Sequence, residues 1–368
     1  NFYFHDALLR DDAADYRLKK SQEVRPYDMQ YHLFSKGQPE NMDFLKRIRS
    51  LMDEYDARTT VGEVGETHHA IKMMGDYTSG NRLHMAYSFN MLGPDFNAKH
   101  FRKQITEFFE GAPEGWPCWA LSNHDVQRHA TRFMPHAVTL DSIAKLSGAV
   151  LLSLEGSVCL YQGEEMGQVE TEMEYHELTD PTAISFWPDD KGRDGCRTPM
   201  VWSANAPNGG FSKADKTWLP VKAPQIARSV DVQETDTNSV LNFYREMLAL
   251  RRARPDMQLG RSNFIDTPAK FVEWIQSLVI GGDESVVGKV EEEATRLYED
   301  NQEKMSGQIE FEDFYQLMIS RHLCAMNSCI KLKKKKKRKT AAEGEEEFDR
   351  ESISLNYRRV QLRAQEDK

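Results

Sequence analysis

Acidic side chains lie at the ends of three of the four short apolar stretches whose composition is typical of β-strands. They are Glu63 in TTVGEVG (59–65), Asp125 in PCWALSNHD (117–125), and the pair Glu164 and Glu165 in GSVCLYQGEE (156–165). Where parallel strands alternate with helices, the groups that act on substrates gather at the carboxyl ends of the strands. We therefore expect these carboxylates, with His124 beside Asp125, to line one pocket.

Such a pocket suits glycoside hydrolysis, in which one carboxylic acid protonates the leaving oxygen and another carboxylate carries negative charge. Each acid taken singly is better explained as a solvated side chain or a helix N-cap, and only the acids together point to a pocket. A divalent cation is the alternative occupant, because the carboxylates with His69 or His124 offer oxygen and nitrogen ligands. No regular ligand spacing supports that alternative, and the sequence predicts neither a metal nor a cofactor.

The stretches between the strands have the apolar periodicity of helices. NMDFLKRIRSLMDEY (41–55) and SIAKLSGAVLLSLEG (142–156) are amphipathic, and RLHMAYSF (82–89) is the fourth strand. Strands that alternate with helices predict parallel βα units, in a barrel or in a doubly wound sheet.

Composition excludes several classes of protein. The 368-residue chain is 39% hydrophobic, which is enough for a sizeable core, and it carries a net charge of −10. This acidity argues against nucleic-acid and anionic-membrane partners, and no apolar stretch of about 18 residues predicts a membrane span. The five cysteines lack zinc-ligand spacing and suit a reducing compartment, so we expect a cytoplasmic protein.

Six motifs follow one another in the order of a known family: VGEVGE, LSNHDVQRHATR, GSVCLYQGEEMG, DPTAISFWPDDKGRDGCRTPMVW, GGFSKADKTWLPV and SVLNFYREMLALRRARP. Together they resemble the α-amylase superfamily, and more narrowly bacterial α-glucosidases of the oligo-1,6-glucosidase and α-1,4-glucosidase type. The resemblance runs from residue 1 to about residue 276, and GRDGCRTPMVW is specific to the glucosidase branch. It implies a (β/α)8 barrel that acts on α-glucosidic bonds with retention of configuration.

The same resemblance implies roles for four residues. Glu63 matches the general acid/base at the end of the fifth barrel strand, where its pKa must be raised for it to hold a proton near neutrality. Asp125 matches the aspartate that stabilises the transition state after the seventh strand. His124 matches a histidine that binds the sugar in the −1 subsite, and Arg193 matches an arginine that contacts the same glucose.

The family's nucleophile is an aspartate in a G-F-R-L-D motif at the end of the fourth strand. The opening NFYFHD resembles the residues that follow this motif, so the nucleophile is expected shortly upstream of Asn1. Asp6 and Asp11 fall in the loop beyond the strand and do not replace it. Because retention needs two carboxyl groups about 5–5.5 Å apart, we expect a fragment that is inactive by itself.

The resemblance also divides the chain. Residues 1–252 correspond to strands five to eight, the C-terminal half of the TIM barrel, with 253–276 as the start of a C-terminal β domain. Half a barrel leaves open strand edges and an apolar face, so self-association through that face is expected. We place a junction near Gln276 and Ser277, where the mixed composition of a globular domain gives way to strongly charged segments.

Residues 277–330 are predicted to be helical and weakly resemble the second half of an EF-hand around 297–318. Gly307, Ile309 and Asp313 match the pattern, but the preceding ligand positions of the loop 302–313 include Lys304. That loop has too little negative charge to favour calcium, so a plain amphipathic helix pair is the favoured interpretation.

The charged segment 331–368 is predicted to be disordered. Its basic run Lys333–Lys339 precedes the acidic run Glu343–Glu347, and a solvated block is favoured over a localisation or anionic-surface patch. Two functional hypotheses result. One is an α-glucosidase fragment, and the other is a non-catalytic interaction protein or chimeric gene product with a helical EF-hand-like module.

Overall fold

A computed structural model of the chain describes residues 6–15, 25–65, 69–137, 139–262 and 264. The predictions for residues 265–368, including the junction, the EF-hand-like module and the charged tail, lie outside these residues. The strands are β1 Ala13–Ala14, β2 Gln30–Tyr31, β3 Val61–Val64, β4 Met85–Ser88, β5 Cys118–Trp119 and β6 Ser157–Val158. The helices are α1 Glu40–Met52, α2 Ala70–Thr78, α3 Ala98–Gly111, α4 His129–Arg132, α5 Leu140–Ser153, α6 Pro181–Phe186, α7 Ala223–Ile226, α8 Val230–Glu234, α9 Val240–Ala253 and α10 Asp256–Leu259.

Strands β3 to β6 run parallel and are neighbours in chain order. β3 pairs with β4, β5 pairs with β6, and a single bridge between Ala86 and Pro117 joins the two pairs. Helices lie between successive strands, which is the connection that parallel neighbours require. β1 and β2 form a separate two-residue antiparallel pair, which the sequence analysis did not predict.

Local sequence explains where the helices begin. Asn97 caps α3, and its side chain accepts a hydrogen bond from the His100 amide at 2.8 Å. Thr139 and Ser142 form a capping box at the start of α5. These polar caps satisfy backbone N–H groups that have no partner inside the helix. The helices predicted over 41–55 and 142–156 are confirmed as α1 and α5.

The main core lies between the strands and helices α2, α3 and α5. Its fully buried members include Met74 of α2, Phe108 of α3 and Ile143 of α5. Gly62 of β3 allows α2 and the connection that follows it to pack closely, because a Cβ atom there would lie 3.2 Å from the Tyr77 ring and 2.8 Å from Leu83 Cδ1. The face of β3 that carries Gly62 and Val64 is therefore packed, and its other face is free to carry Glu63.

All four predicted strands of the sheet are present, although each is shorter than its apolar stretch. The α/β class and the parallel arrangement are thus confirmed. The assignment to strands five to eight of a barrel and the boundaries at 252 and 276 stay predictions.

Candidate active site

Glu63 is the third residue of β3 and points away from the core. Side chains alternate along a strand, and here Gly62 and Val64 are buried while Val61 and Glu63 are exposed. Glu63 is in register with Tyr87 of β4, so the two side chains share a face. Burial, together with a hydrogen bond to the Glu63 carboxylate, raises the pKa of Tyr87 above its usual range. Tyr87 therefore remains protonated and donates to Glu63.

His124 and Asp125 lie in the loop that follows β5. The residues leading into this loop, from Ala120 to Asn123, are buried, and the Asn123 side chain accepts the Asp125 amide at 2.9 Å. The His124 side chain is 52% exposed and that of Asp125 is 28% exposed, with 3.6 Å between Nε2 and Oδ1. The loop thus turns both side chains out of the core beside each other.

The structure brings Glu63, His124 and Asp125 together. Each contributes one nitrogen or oxygen atom to a group whose members all lie within 4.8 Å of one another. Glu63 lies in β3, and Asp125 lies in the loop after β5, two strands away. The two residues come close because the carboxyl ends of parallel strands lie along the same edge of the sheet. A pocket containing these carboxylates and His124 was predicted from the sequence, and these three members of it do meet.

The pair Glu164 and Glu165 behaves differently from that prediction. Glu164 begins a 3₁₀ segment, is 2% exposed, and accepts hydrogen bonds from the Tyr161 amide at 3.2 Å and the Tyr244 hydroxyl at 3.4 Å. Burial raises the pKa of Glu164 to about 8 and also raises that of Glu165. Acids at the ends of the apolar stretches therefore differ in the structure: Glu63 and Asp125 lie together in the pocket, whereas Glu164 is buried.

Arg193 connects the pocket to a buried acid. Its Nε and Nη2 atoms donate to Asp180 at 2.8 and 3.0 Å, and its Nη1 donates to Asp125 Oδ1 at 3.3 Å. Asp180 is 3% exposed and caps α6. The hydrogen bond from Arg193 lowers the pKa of Asp180 to about 2, so this ion pair is fully charged across the neutral range.

A further buried acid supports Asp180 from behind. Asp194 is fully buried and accepts hydrogen bonds from the Thr179 amide at 2.6 Å, the Asp180 amide at 2.8 Å and the Thr179 hydroxyl at 2.9 Å. These bonds fix the backbone that presents Asp180 to Arg193. A series of hydrogen bonds therefore connects the buried Asp194 to the backbone of Asp180, Asp180 to Arg193, and Arg193 to Asp125.

Arg197 is a site residue that the sequence analysis missed. Its Nη2 donates to Asp125 Oδ1 at 2.8 Å and its Nε donates to the His124 carbonyl at 2.7 Å. The signal was present in GRDGCR, where a second arginine follows the first by four residues across the 3₁₀ segment Asp194–Cys196.

Two arginines on one carboxylate weigh against a cation in this pocket. Glu63, His124 and Asp125 are the one group of metal-ligating side chains with suitable spacing among the described residues. Arg193 and Arg197 both contact Asp125, and their positive charge opposes that of a metal ion. His69, the other histidine considered for a metal site, lies at the N-terminus of α2 and is not in this group.

Comparison with known proteins identifies the family. A family model described as "Alpha amylase, catalytic domain" matches residues 8–260. The chain belongs to the alpha-amylase family. The resemblance inferred from six motifs is thus confirmed, and the described residues are a part of an alpha-amylase catalytic domain.

Relatives within the alpha-amylase family add detail. A probable alpha-glucosidase of Rhizobium meliloti (strain 1021) is 46% identical over 283 residues, covering 75% of this chain and 51% of the relative. Maltase A1 of Drosophila melanogaster is 29% identical over 247 residues, covering 63% of this chain and 41% of the relative. The chain spans about half the length of the curated relatives it matches.

Solved structures agree with this placement. The crystal structure of the alpha-glucosyl transfer enzyme XgtA shares 44% identity at a TM-score of 0.67, covering 73% of this chain and 50% of that one. The trehalulose synthase MutB from Pseudomonas mesoacidophila MX-45 matches at 22% identity and a TM-score of 0.54, covering 62% and 46%, and shows likeness of fold alone. Among the helices of the described residues, none has both the length and the apolar character needed to span a membrane.

Proposed function

We propose that the described residues form part of the active site of a retaining enzyme that hydrolyses α-glucosides. Glu63 is the general acid/base and Asp125 is the carboxylate that stabilises the transition state. The observation that carries this proposal is the convergence of Glu63, His124 and Asp125 within 4.8 Å. Membership of the alpha-amylase family and 46% identity to a probable alpha-glucosidase support it.

The geometry suits these roles. Glu63 is exposed on its strand and, when protonated, can donate its proton to a glycosidic oxygen, while the Tyr87 hydroxyl bonds the carboxylate that this transfer leaves. The transition state of glycoside hydrolysis resembles an oxocarbenium ion, so a fixed negative charge at Asp125 stabilises it. The exposed His124 imidazole and the Arg193 Nη1 group supply donors for sugar hydroxyls.

A retaining reaction also requires a nucleophile. The resemblance predicts an aspartate in a G-F-R-L-D motif for this role. In this route the nucleophile forms a glycosyl-enzyme bond to the anomeric carbon while Glu63 protonates the departing oxygen. Water, deprotonated by Glu63, then breaks that bond and restores both carboxyl groups.

Transfer of the glucosyl group to a sugar hydroxyl is a second candidate. It is favoured by 44% identity to a protein described as an alpha-glucosyl transfer enzyme. Hydrolysis and transfer share the first half of the reaction and differ only in whether water or a sugar hydroxyl accepts the glucosyl group.

The test is hydrolysis of 4-nitrophenyl α-D-glucoside by the 368-residue chain. The chain is assayed alone and after addition of the part of the Rhizobium relative that the match leaves uncovered. Where hydrolysis is measured, Glu63→Gln should lower its rate by about 10²–10⁴-fold, the usual contribution of a general acid. Glu107→Gln, at an exposed position of α3, is the matched control and should leave the rate unchanged.

Binding gives a readout that needs no turnover. The chain should bind methyl α-D-glucoside in an NMR titration, and Asp125→Asn should weaken that binding. Hydrolysis that survives Glu63→Gln would overturn the assignment of the general acid. A chain that neither binds nor hydrolyses α-glucosides in any of these assays would overturn the proposed function.

A further inference from the structure

Arg197 bonds the backbone of one proposed site residue and the side chain of the next. Its Nε reaches the His124 carbonyl at 2.7 Å, and its Nη2 reaches Asp125 Oδ1 at 2.8 Å. The Arg197 side chain is 20% exposed, so the guanidinium is largely shielded from water. The fork therefore fixes both where the loop runs and how the Asp125 carboxylate is turned.

Arg193 holds Asp125 less firmly. Two of its donor groups are committed to Asp180, and the remaining Nη1 reaches Asp125 at 3.3 Å, half an ångström longer than the contact from Arg197. Both arginines bond the same oxygen, Oδ1. Among the hydrogen bonds of the described residues, none uses Oδ2 of Asp125, so that oxygen is available to a sugar hydroxyl.

We infer that Arg197 is a positioning residue, which sets the orientation of Asp125 so that Oδ2 faces the bound α-glucoside. This inference rests on the proposed function, since it assigns Arg197 a part in the same site. Arg197 itself need not touch the sugar, because both of its hydrogen bonds described here go to protein groups. Its effect on the reaction passes through Asp125.

The geometry makes a specific demand on the side chain. A guanidinium presents donors in a rigid planar fork, whereas a lysine ammonium is a point donor on a flexible stem. Lysine at position 197 can therefore keep the charge near Asp125 without holding the His124 carbonyl at the same time. Arg197→Lys should be intermediate between the wild type and Arg197→Ala.

The experiment compares Arg197→Ala, Arg197→Lys, Asp125→Asn and the double variant Asp125→Asn/Arg197→Ala in the two assays above. Arg197→Ala should lower kcat about 100-fold, the scale of effect expected when a reacting group is misplaced by about 1 Å, with a smaller rise in KM and a smaller loss of affinity for methyl α-D-glucoside. Arg245→Ala is the control, because Arg245 pairs with Glu234 at a half-exposed position of α9, and its kcat should equal that of the wild type.

Two further measurements separate positioning from a merely structural role. Added guanidinium ion, kept below denaturing concentrations, should restore part of the activity or binding of Arg197→Ala but not of Arg245→Ala. The double variant should be no worse than Asp125→Asn, because an effect that passes through Asp125 vanishes when Asp125 is changed. In the chain alone, the affinity for methyl α-D-glucoside should follow the same pattern.

Several results would overturn the inference. They are an unchanged kcat and affinity in Arg197→Ala, losses that add to those of Asp125→Asn, or a loss that guanidinium does not reverse and that accompanies a fall in Tm. If Glu63→Gln abolishes hydrolysis while Arg197→Ala is fully active, only the role of Arg197 fails. If no α-glucoside is bound or hydrolysed by the wild type, the proposed function fails and the inference resting on it fails too.

Discussion

Glu63 and Asp125 meet in one pocket but are held there by different means. Glu63 is placed by the register of β3 against β4, and the polar contact that supports it is with Tyr87. Asp125 lies in a loop, and arginines reach it from a segment some 70 residues later in the chain. The position of Glu63, on the strand side of the pocket, therefore depends on backbone pairing and packing, while that of Asp125, on the loop side, depends on ion pairs with Arg193 and Arg197.

This difference assigns different sensitivities to the two sides. Charge changes outside the pocket should disturb the loop side through Arg193 and Arg197, and changes of side-chain volume should disturb the strand side through Gly62.

The largest effect on stability is expected at Asp180. Asp180→Asn removes the carboxylate that accepts two of the Arg193 hydrogen bonds and leaves the guanidinium with only its longer ion pair to Asp125, and breaking a buried ion pair costs several kcal/mol. Because the Arg193 side chain is 35% exposed, we expect a smaller loss of unfolding free energy, about 2–3 kcal/mol. Urea denaturation measures this loss, and the exposed Asp189→Asn is the control.

The same ion pair fixes the pH dependence of that loss. The pKa of Asp180 is lowered to about 2 from an ordinary value of 3.8, so its stabilising contribution is complete above pH 3.8 and disappears as the pH falls towards 2. The difference between wild type and Asp180→Asn should therefore be constant from pH 5 to pH 8. A difference that changes over this range would show that another group titrates with the pair.

On the strand side, the corresponding change is Gly62→Ala. The added methyl group would lie 2.8 Å from Leu83 Cδ1 and 3.2 Å from the Tyr77 ring, and overpacking of this kind costs about 1–3 kcal/mol. Gly93→Ala is the control, because a Cβ atom there meets nothing within 4 Å. Equal stability of the two variants in urea denaturation would contradict close packing beneath Glu63.

The contrast between strand and loop also explains what could be predicted from sequence. The strand patterns were enough to predict that Glu63, His124 and Asp125 lie close together, because the carboxyl ends of parallel strands meet at one edge of the sheet. Arg197 could not be predicted in this way. Its partners lie some 70 residues away, and no local periodicity encodes such a pairing.

The sequence pattern likewise could not distinguish a buried acid from an exposed one. Glu164 follows β6 much as Asp125 follows β5, yet Tyr161 and Tyr244 enclose it. Burial depends on what packs over a loop, here α9 with Tyr244, and that information is spread over distant segments. The two-residue pair of β1 and β2 was missed for the opposite reason, since it is too short to produce a pattern.

Glu164 offers a test of that distinction through pH. Its pKa is raised to about 8 from 4.5, chiefly by burial, so the folded protein holds a proton between these values that the unfolded chain releases. Stability therefore falls as the pH rises from about 4.5 to about 8. Glu164→Gln cannot ionise, so its stability relative to wild type should be higher at pH 8.5 than at pH 5.

Urea denaturation at the two pH values measures the gain, and Glu107→Gln at its exposed position is again the control. An identical pH dependence in wild type and Glu164→Gln would show that Glu164 is ionised in the folded protein. Asp125 and Glu164 would then differ in exposure but not in charge, and the distinction between the two loops would be weaker.

The smallest effect is expected at Tyr87. Tyr87→Phe removes the hydroxyl that bonds Glu63, a single hydrogen bond worth about 0.5–1.5 kcal/mol. Because Glu63 is exposed, water can replace the lost donor, so hydrolysis of 4-nitrophenyl α-D-glucoside should fall by no more than about tenfold. A loss as large as that of Glu63→Gln would show that Tyr87 is essential to the reaction. The strand side would then depend on a polar contact as the loop side does, and backbone register alone would not account for the position of Glu63.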